Sequence, residues 1–405
     1  MKIKSTRALS WRFFVMVVLA TLSSIQTAEA SSIQIPRSFK DFDARPPIHT
    51  SNNARITAEP QGLTPAQVKM AYNLPVTGGS GTIAIITAYA EPSIESDLAA
   101  FNKKFSLPDC TISNKCLEVH AMSTSTKTNT GWSLESALDT EWAHAIAPTA
   151  KILVVAAAST KGADLIKAID YARGRKDVVA VSMSWGGDEF KDEVSLDKHF
   201  TAIGAGTSTS SATRGTHQPI AFFASSGDDG TGVSWPAISP NVIAVGGTSL
   251  AVDHTSGHFI SEKAWPGSGG GVSAYEVAPS YQVTYSIPHS NNKRAIPDVA
   301  YAADPVYGFS VYHMEKVSGK SAPTLAKGWY VVGGTSAGAP QWAAIHTLGK
   351  GISHAHLYRD KAGPVYATFF RDIVSGKNGT CAYYCTARAR YDYVTGLGSP
   401  ITDKF

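Results

Sequence analysis

The chain has 405 residues, 43% of them hydrophobic and 17% charged. That is ample apolar material for one large core. The formal net charge of +4 comes without a basic patch or any alternation of basic and aromatic residues, which excludes nucleic acid as a partner.

In chain order, Lys2, Lys4 and Arg7 precede the apolar run Phe13 to Ala20, and Ala28-Glu29-Ala30 follows. This is the pattern of a signal peptide cleaved after Ala30. The apolar run is too short for a permanent anchor, and no second candidate follows it. We therefore expect residues 1–30 to be removed, and the mature chain to be secreted or periplasmic and free of the membrane. Losing Lys2, Lys4, Arg7, Arg12 and Glu29 with that leader takes the formal charge from +4 to +1. Residues 31–61 carry Pro36, Pro46, Pro47 and Pro60 among scattered polar residues, and read as a short pro-segment or extended arm.

From residue 62 to 405 the pattern is that of one domain. Gly81 to Thr87 reads as a strand and Ser93 to Phe105 as a helix. The run Ser133 to Ala147 is helical in pattern. Lys151 to Ala157 reads as a strand, Ala163 to Arg173 as a helix, and Val178 to Met183, Ile220 to Ala224 and Val242 to Val245 as strands. Alternating strands and helices predict an α/β fold with a largely parallel central sheet, helices on both faces, and sites at the carboxyl ends of strands. The four cysteines fall as two close pairs, Cys110/Cys116 and Cys381/Cys385. In an exported chain these read as two local disulfides, and the spacing is poor for zinc.

Three segments carry chemistry. Gly333-Gly334-Thr335-Ser336-Ala337-Gly338-Ala339-Pro340 lies between the apolar run Trp329 to Val332 and the helical run from Gln341. A serine there sits where backbone N–H groups face outward and negative charge is favoured. It is a candidate nucleophile that needs a base, although the same letters suit a plain helix cap. In the Ser133 to Ala147 run, Glu135 and Asp139 are four residues apart and share one helix face amid Leu, Ala, Ile and Trp. A buried pair of like charges retains a proton, which raises one apparent pKa. A solvated acidic face is the ordinary alternative. Finally, Asp228 sits in Ser225-Ser226-Gly227-Asp228-Asp229-Gly230, directly after an apolar run. Only in its protonated form could it hydrogen-bond a developing oxyanion.

Together these segments resemble the sedolisin family, serine-carboxyl peptidases with a subtilisin-like three-layer fold. In that family glutamate replaces the histidine base of subtilisins, and aspartate replaces the oxyanion-hole amide. The resemblance extends through Leu63-Thr64-Pro65-Ala66-Gln67, Ser182-Met183-Ser184-Trp185-Gly186-Gly187, Ser234-Trp235-Pro236-Ala237, Val245-Gly246-Gly247-Thr248 and Thr395-Gly396-Leu397-Gly398-Ser399-Pro400. It implies Ser336 as nucleophile, Glu135 as general base and then acid, Asp139 as its orienting partner, and Asp228 as oxyanion donor. It also implies a protein or peptide substrate, endopeptidase or tripeptidyl-releasing action, and a cleft flanked by Trp185, Gly186 and Gly269 to Ser273. Those roles need a carboxylate base and a neutral Asp228 together, which predicts peak activity at roughly pH 3–5. A monomer is expected.

The resemblance further implies one structural Ca2+ near the C-terminus. Its ligands would be the carboxylates of Asp372 and Asp392 with the backbone carbonyls of Ile373, Arg388 and Arg390, oxygen donors of the kind calcium prefers. Arg388 and Arg390 stand where the family has glycine. Other readings are a neutral serine hydrolase using His144, a glycosidase using Glu135 and Asp139, or an inactive peptide-binding scaffold of the same fold. The glycosidase leaves Ser336 and Asp228 without a task.

Overall fold

The computed structural model describes residues 38–50, 56–202, 219–317, 324–349, 351–359 and 366–403. The expected signal peptide lies outside the described residues, which all belong to one unit, Ile35–Phe405.

Alternating side chains bury the central sheet on both faces. The strands and helices used below are, for strands, β1 (His49–Thr50), β2 (Thr82–Ala88), β3 (Leu117–Ala121), β4 (Lys151–Ala157), β5 (Val178–Met183), β6 (Ala221–Ser225), β7 (Ile243–Val252), β8 (Phe259–Ala264), β9 (Val299–Ala302), β10 (Phe309–Val317) and β11 (Thr324–Gly333). The helices are α1 (Pro65–Ala71), α2 (Ile94–Phe105), α3 (Thr130–Ile146), α4 (Gly162–Gly174) and α5 (Gly338–Leu348). In β2, Ile83 and Ile85 join a core under α2, α3 and α5, while Ala84 and Ile86 join a second core with Leu165, Ile166 and Ile169 of α4. In β4, Ile152 and Val154 face the first core, and Leu153 and Val155 the second. Successive strand residues point to opposite faces, so a sheet covered on both sides reads as an unbroken apolar run.

The sheet runs β8-β7-β6-β5-β2-β4-β3, with β9 added alongside β7. All its pairs are parallel except β7 with β8. This is the subtilisin-like arrangement of a mostly parallel sheet between two helical layers. The strand leading to Ser336 is different. It is β11, which pairs antiparallel with β10 and with β1 in a separate three-stranded sheet. The rule for parallel sheets thus places Asp228, after β6, but not Ser336. The acidic helix begins at Thr130, where the Asn129 side chain accepts from the Trp132 N–H, and the run from Val242 continues as strand to Val252. Both disulfides, Cys110–Cys116 and Cys381–Cys385, are formed.

Several acids are buried away from β11. Glu193, Asp197 and Glu276 lie near one another, and burial pushes their carboxyls up to about 9, 6 and 7. Each prefers to be neutral in the fold and ionises near pH 4 when unfolded. Their stabilising contribution is therefore complete below about pH 4 and is lost as pH rises through those folded values. Thermal unfolding across pH 4–9 should give the highest Tm at the acid end and a decline toward pH 9. Glu193→Gln should flatten that decline.

Candidate active site

Glu135 and Asp139 project from one face of α3 into the interior, 2% and 1% exposed. The helix packs against α5 and the short turn Thr335–Ala337 that carries Ser336. Burial, then the neighbouring Asp139 carboxyl, raises the Glu135 pKa well above the ordinary carboxylate range, while the Ser336 hydroxyl lowers it. Burial also raises Asp139, against the Ser184 hydroxyl bonded to it and the influence of the neighbouring Glu135 carboxyl. The spacing of four residues thus creates a dry acid pair that holds a proton beside the serine. The Ser184 hydroxyl lies 2.7 Å from Asp139 Oδ1 and 3.1 Å from the Ser336 carbonyl oxygen.

Gly334 precedes the serine turn at φ 118°, a conformation favoured by glycine. A Cβ there would lie 2.2 Å from the Pro47 carbonyl oxygen and 2.4 Å from Asp228 Oδ2. The missing side chain lets both oxygens approach one face of this residue. Asp228 reaches the site from the end of β6. Its Oδ1 accepts from Thr335 N–H at 2.8 Å and from Thr335 Oγ1 at 2.7 Å. Burial pushes its pKa up to about 8, with these two bonds opposing the shift.

A segment of polypeptide lies across this site. The N–H of Arg45 donates to the Gly186 carbonyl at 3.0 Å and its carbonyl accepts from Gly186 N–H at 3.1 Å. Pro47 follows, and its carbonyl accepts from Ser336 Oγ at 3.0 Å. Next, β1 pairs with β11, His49 opposite Gly333 and Thr50 opposite Val332. The serine hydroxyl is turned to Pro47 in this arrangement, and neither carboxyl oxygen of Glu135 has a formed hydrogen bond. Gly186, which the resemblance placed beside the cleft, is the residue that pairs with Arg45 of this segment. Gly269 instead buttresses the Asp228 loop, donating to the Gly227 carbonyl at 2.7 Å and accepting from Ser226 Oγ at 2.8 Å.

Sequence reasoning missed Ser184, Thr335, Pro47 and His49. Ser184 and Thr335 had a signal, since each lies inside a motif already singled out. The arm residues had only the Pro46-Pro47 pair, which predicts extended chain and not its place. His144 does not join the site. It is fully buried on α3, and its Nε2 is bonded to the Pro108 carbonyl at 2.9 Å.

The subtilase family profile matches residues 120–354. Kumamolisin of Bacillus sp. (strain MN-32) is 32% identical over 390 residues, which cover 85% of this chain and 63% of that protein. Sedolisin of Pseudomonas sp. (strain 101) is 31% identical over 209 residues, 44% of this chain and 33% of its own length. This chain belongs to the subtilase family, in its sedolisin branch. It spans less than two thirds of the length of either relative. The structure of Pseudomonas sedolisin, a serine-carboxyl proteinase complexed with two molecules of pseudo-iodotyrostatin, shares the fold with TM-score 0.64 at 23% identity, over 85% of this chain and 96% of that one.

The residues assigned to calcium meet at one turn. Both Asp372 oxygens lie 2.9 Å from the Arg390 N–H. Asp392 accepts from the N–H groups of Arg388, Val394 and Thr395 and from Thr395 Oγ1. Arg390 has φ 69°, the backbone region that glycine fills without strain. Burial raises the pKa of both aspartates. The two carboxyls facing one turn are oxygen donors of the type a divalent cation takes, and in this structure they accept from backbone N–H groups of that turn.

The contact from Ser184 opposes the rise in the Asp139 pKa. Ser184→Ala should raise the proton affinity of the acid pair, read as a carboxyl C=O band that persists to higher pH in infrared titration. An unshifted band would remove Ser184 from the pair.

Proposed function

We propose that this protein is a serine-carboxyl endopeptidase that cuts polypeptides in acid. The observation that carries this reading is the segment in the cleft. Peptide backbone pairs with Gly186 on one side of Ser336 and with Gly333 on the other, and a carbonyl oxygen meets the serine hydroxyl between them. Because chain continues on both sides, from Asp43 opposite Lys161 to Thr50, the arrangement favours cutting within a chain over release of terminal tripeptides.

In this reading Ser336 Oγ bonds to the carbonyl carbon and passes its proton to Glu135, whose second proton site is shared with Asp139. The electron pair of the C=O bond moves onto oxygen, where protonated Asp228 and backbone N–H groups near Ser336 donate to it. Collapse breaks the C–N bond, Glu135 protonates the leaving amine, and an acyl-enzyme remains. Water then repeats the sequence and frees the acid. Glu135 must lose a proton that Asp228 must keep. The Asp228 value of about 8 leaves the donor intact through the acid range. Activity should fall as pH approaches that value, and Asp228→Asn, whose amide donates at any pH, should extend the alkaline limb.

Secretion to an acidic exterior or the periplasm accords with these roles and with the leader-like N-terminus. Among the described residues no helix is long and apolar enough to cross a membrane.

Cleavage of a denatured protein should be followed across pH 2–8. Wild type should peak in acid, and Ser336→Ala and Glu135→Ala should each lose at least about a thousandfold in kcat. In the wild type, mass analysis should reveal scission between Pro47 and Ile48. Activity that survives Ser336→Ala would end the reading, and a fully silent wild type would favour a peptide-binding scaffold.

We further propose one structural Ca2+ held by the Asp372 and Asp392 carboxylates and the carbonyls of Ile373, Arg388 and Arg390. Low-concentration chelator should lower Tm by several degrees, and added calcium should restore it. An unchanged Tm would leave the pair as hydrogen-bond acceptors only.

A further inference from the structure

The fold uses the two oxygens of Asp228 differently. Oδ1 is saturated by the N–H and hydroxyl of Thr335. Oδ2 receives nothing from the loops around it and has no fully formed hydrogen bond. It faces His49 Nε2 at 3.3 Å. This is also the oxygen that shares the face of Gly334 with the Pro47 carbonyl. In the endopeptidase reading, on which this inference rests, Oδ2 is the atom that must carry a proton and aim it at the oxyanion.

His49 stands two residues beyond Pro47, on the leaving-group side of the bond at Ser336. Its ring meets Trp265 edge-on, with centroids 6.0 Å apart, and β1 holds its backbone opposite Gly333. We propose that His49 is a restraint built into the chain, and that a hydrogen-bonding side chain two residues after the scissile bond makes any segment a slow substrate for this site.

Proton placement gives the mechanism. When His49 and Asp228 share one proton, two arrangements are available. A neutral imidazole accepts the Oδ2 proton and draws it away from the carbonyl. An imidazolium instead donates to an ionised Oδ2, whose charge repels a developing oxyanion. Either way the donor is lost. The other ionisable groups acting here are Asp229, which raises Asp228 from its own loop, and Glu135 of α3, which feels the Asp228 charge. Thr335, Gly334 and Trp265, packed around the pair, are neutral.

The test uses the full chain prepared at pH 7 and shifted to pH values between 3 and 7, with scission between Pro47 and Ile48 followed by intact mass. His49→Phe keeps a ring against Trp265 and removes Nε2, and His49→Ala removes both. Both variants should cut themselves at least about tenfold faster than wild type at pH 6, the size expected for recovering part of an oxyanion donor. In trans, the peptide of residues 43–52 should show a lower kcat than its His49→Phe analogue at pH 6, with KM little changed. Equal rates at every pH would overturn the restraint and leave the peptidase standing. If only His49→Ala accelerated, ring packing would be the cause and the proton mechanism would fall. If no variant cut denatured protein at pH 4, the endopeptidase reading and the restraint would fall together.

Discussion

Two carboxyl groups in a dry interior cannot both be charged, and the candidate site depends on that constraint. Glu135 and Asp139 are one helical turn apart on α3, almost wholly shielded from water. Burial alone favours their neutral forms, and each disfavours ionisation of the other. The outcome is a proton held at a fixed place beside a hydroxyl. A surface Glu-x-x-x-Asp pair would simply ionise twice and do nothing. What distinguishes this pair is the layer packed over it, α5 and the serine turn on one side and β2 and β4 on the other.

The same constraint extends to Asp228. It comes from a different strand, yet it too is an acid kept from water and raised in pKa by burial. Thr335 fixes one of its oxygens through both backbone and side chain. Thr335, the residue before Ser336, therefore positions Asp228, so the relative placement of Ser336 and Asp228 is set by a single turn. Gly334 completes this geometry by having no side chain where two oxygens converge.

The sequence made the central sheet readable because its strands are short apolar runs separated by helices of clear period. Val178 to Met183 and Lys151 to Ala157 have the same limits in the structure. The second sheet was harder to see. Its strands β10 and β11 mix polar and apolar residues, as in His313-Met314-Glu315-Lys316, and their pairing depends on contact between strands and not on either strand alone. The members of the site were legible because each lies in a compact motif. Their junction with the arm was not. Pro47 and Ser336 are 289 residues apart, and no local pattern in a proline-rich stretch says which groove will hold it.

That long-range contact explains how a short arm can be ordered. Prolines 46 and 47 pre-set an extended backbone and reduce the entropy lost on docking. Phe42 anchors the upstream end, its ring 4.8 Å from that of Trp235 and 5.7 Å from that of Phe190. Asp43 adds an ion pair to Lys161 at 2.7 Å, a half-exposed contact worth little by itself. Most of the holding force is thus apolar and lies upstream of Ser336. Downstream, β1 contributes only two paired residues. Beyond β1 the chain is held again where Thr57 pairs with Trp329, so a cut after Pro47 would leave β1 tethered at that point and the upstream piece held by its own contacts. His49 lies in that two-residue strand, so its contact to Asp228 is part of what holds the segment beside the cut.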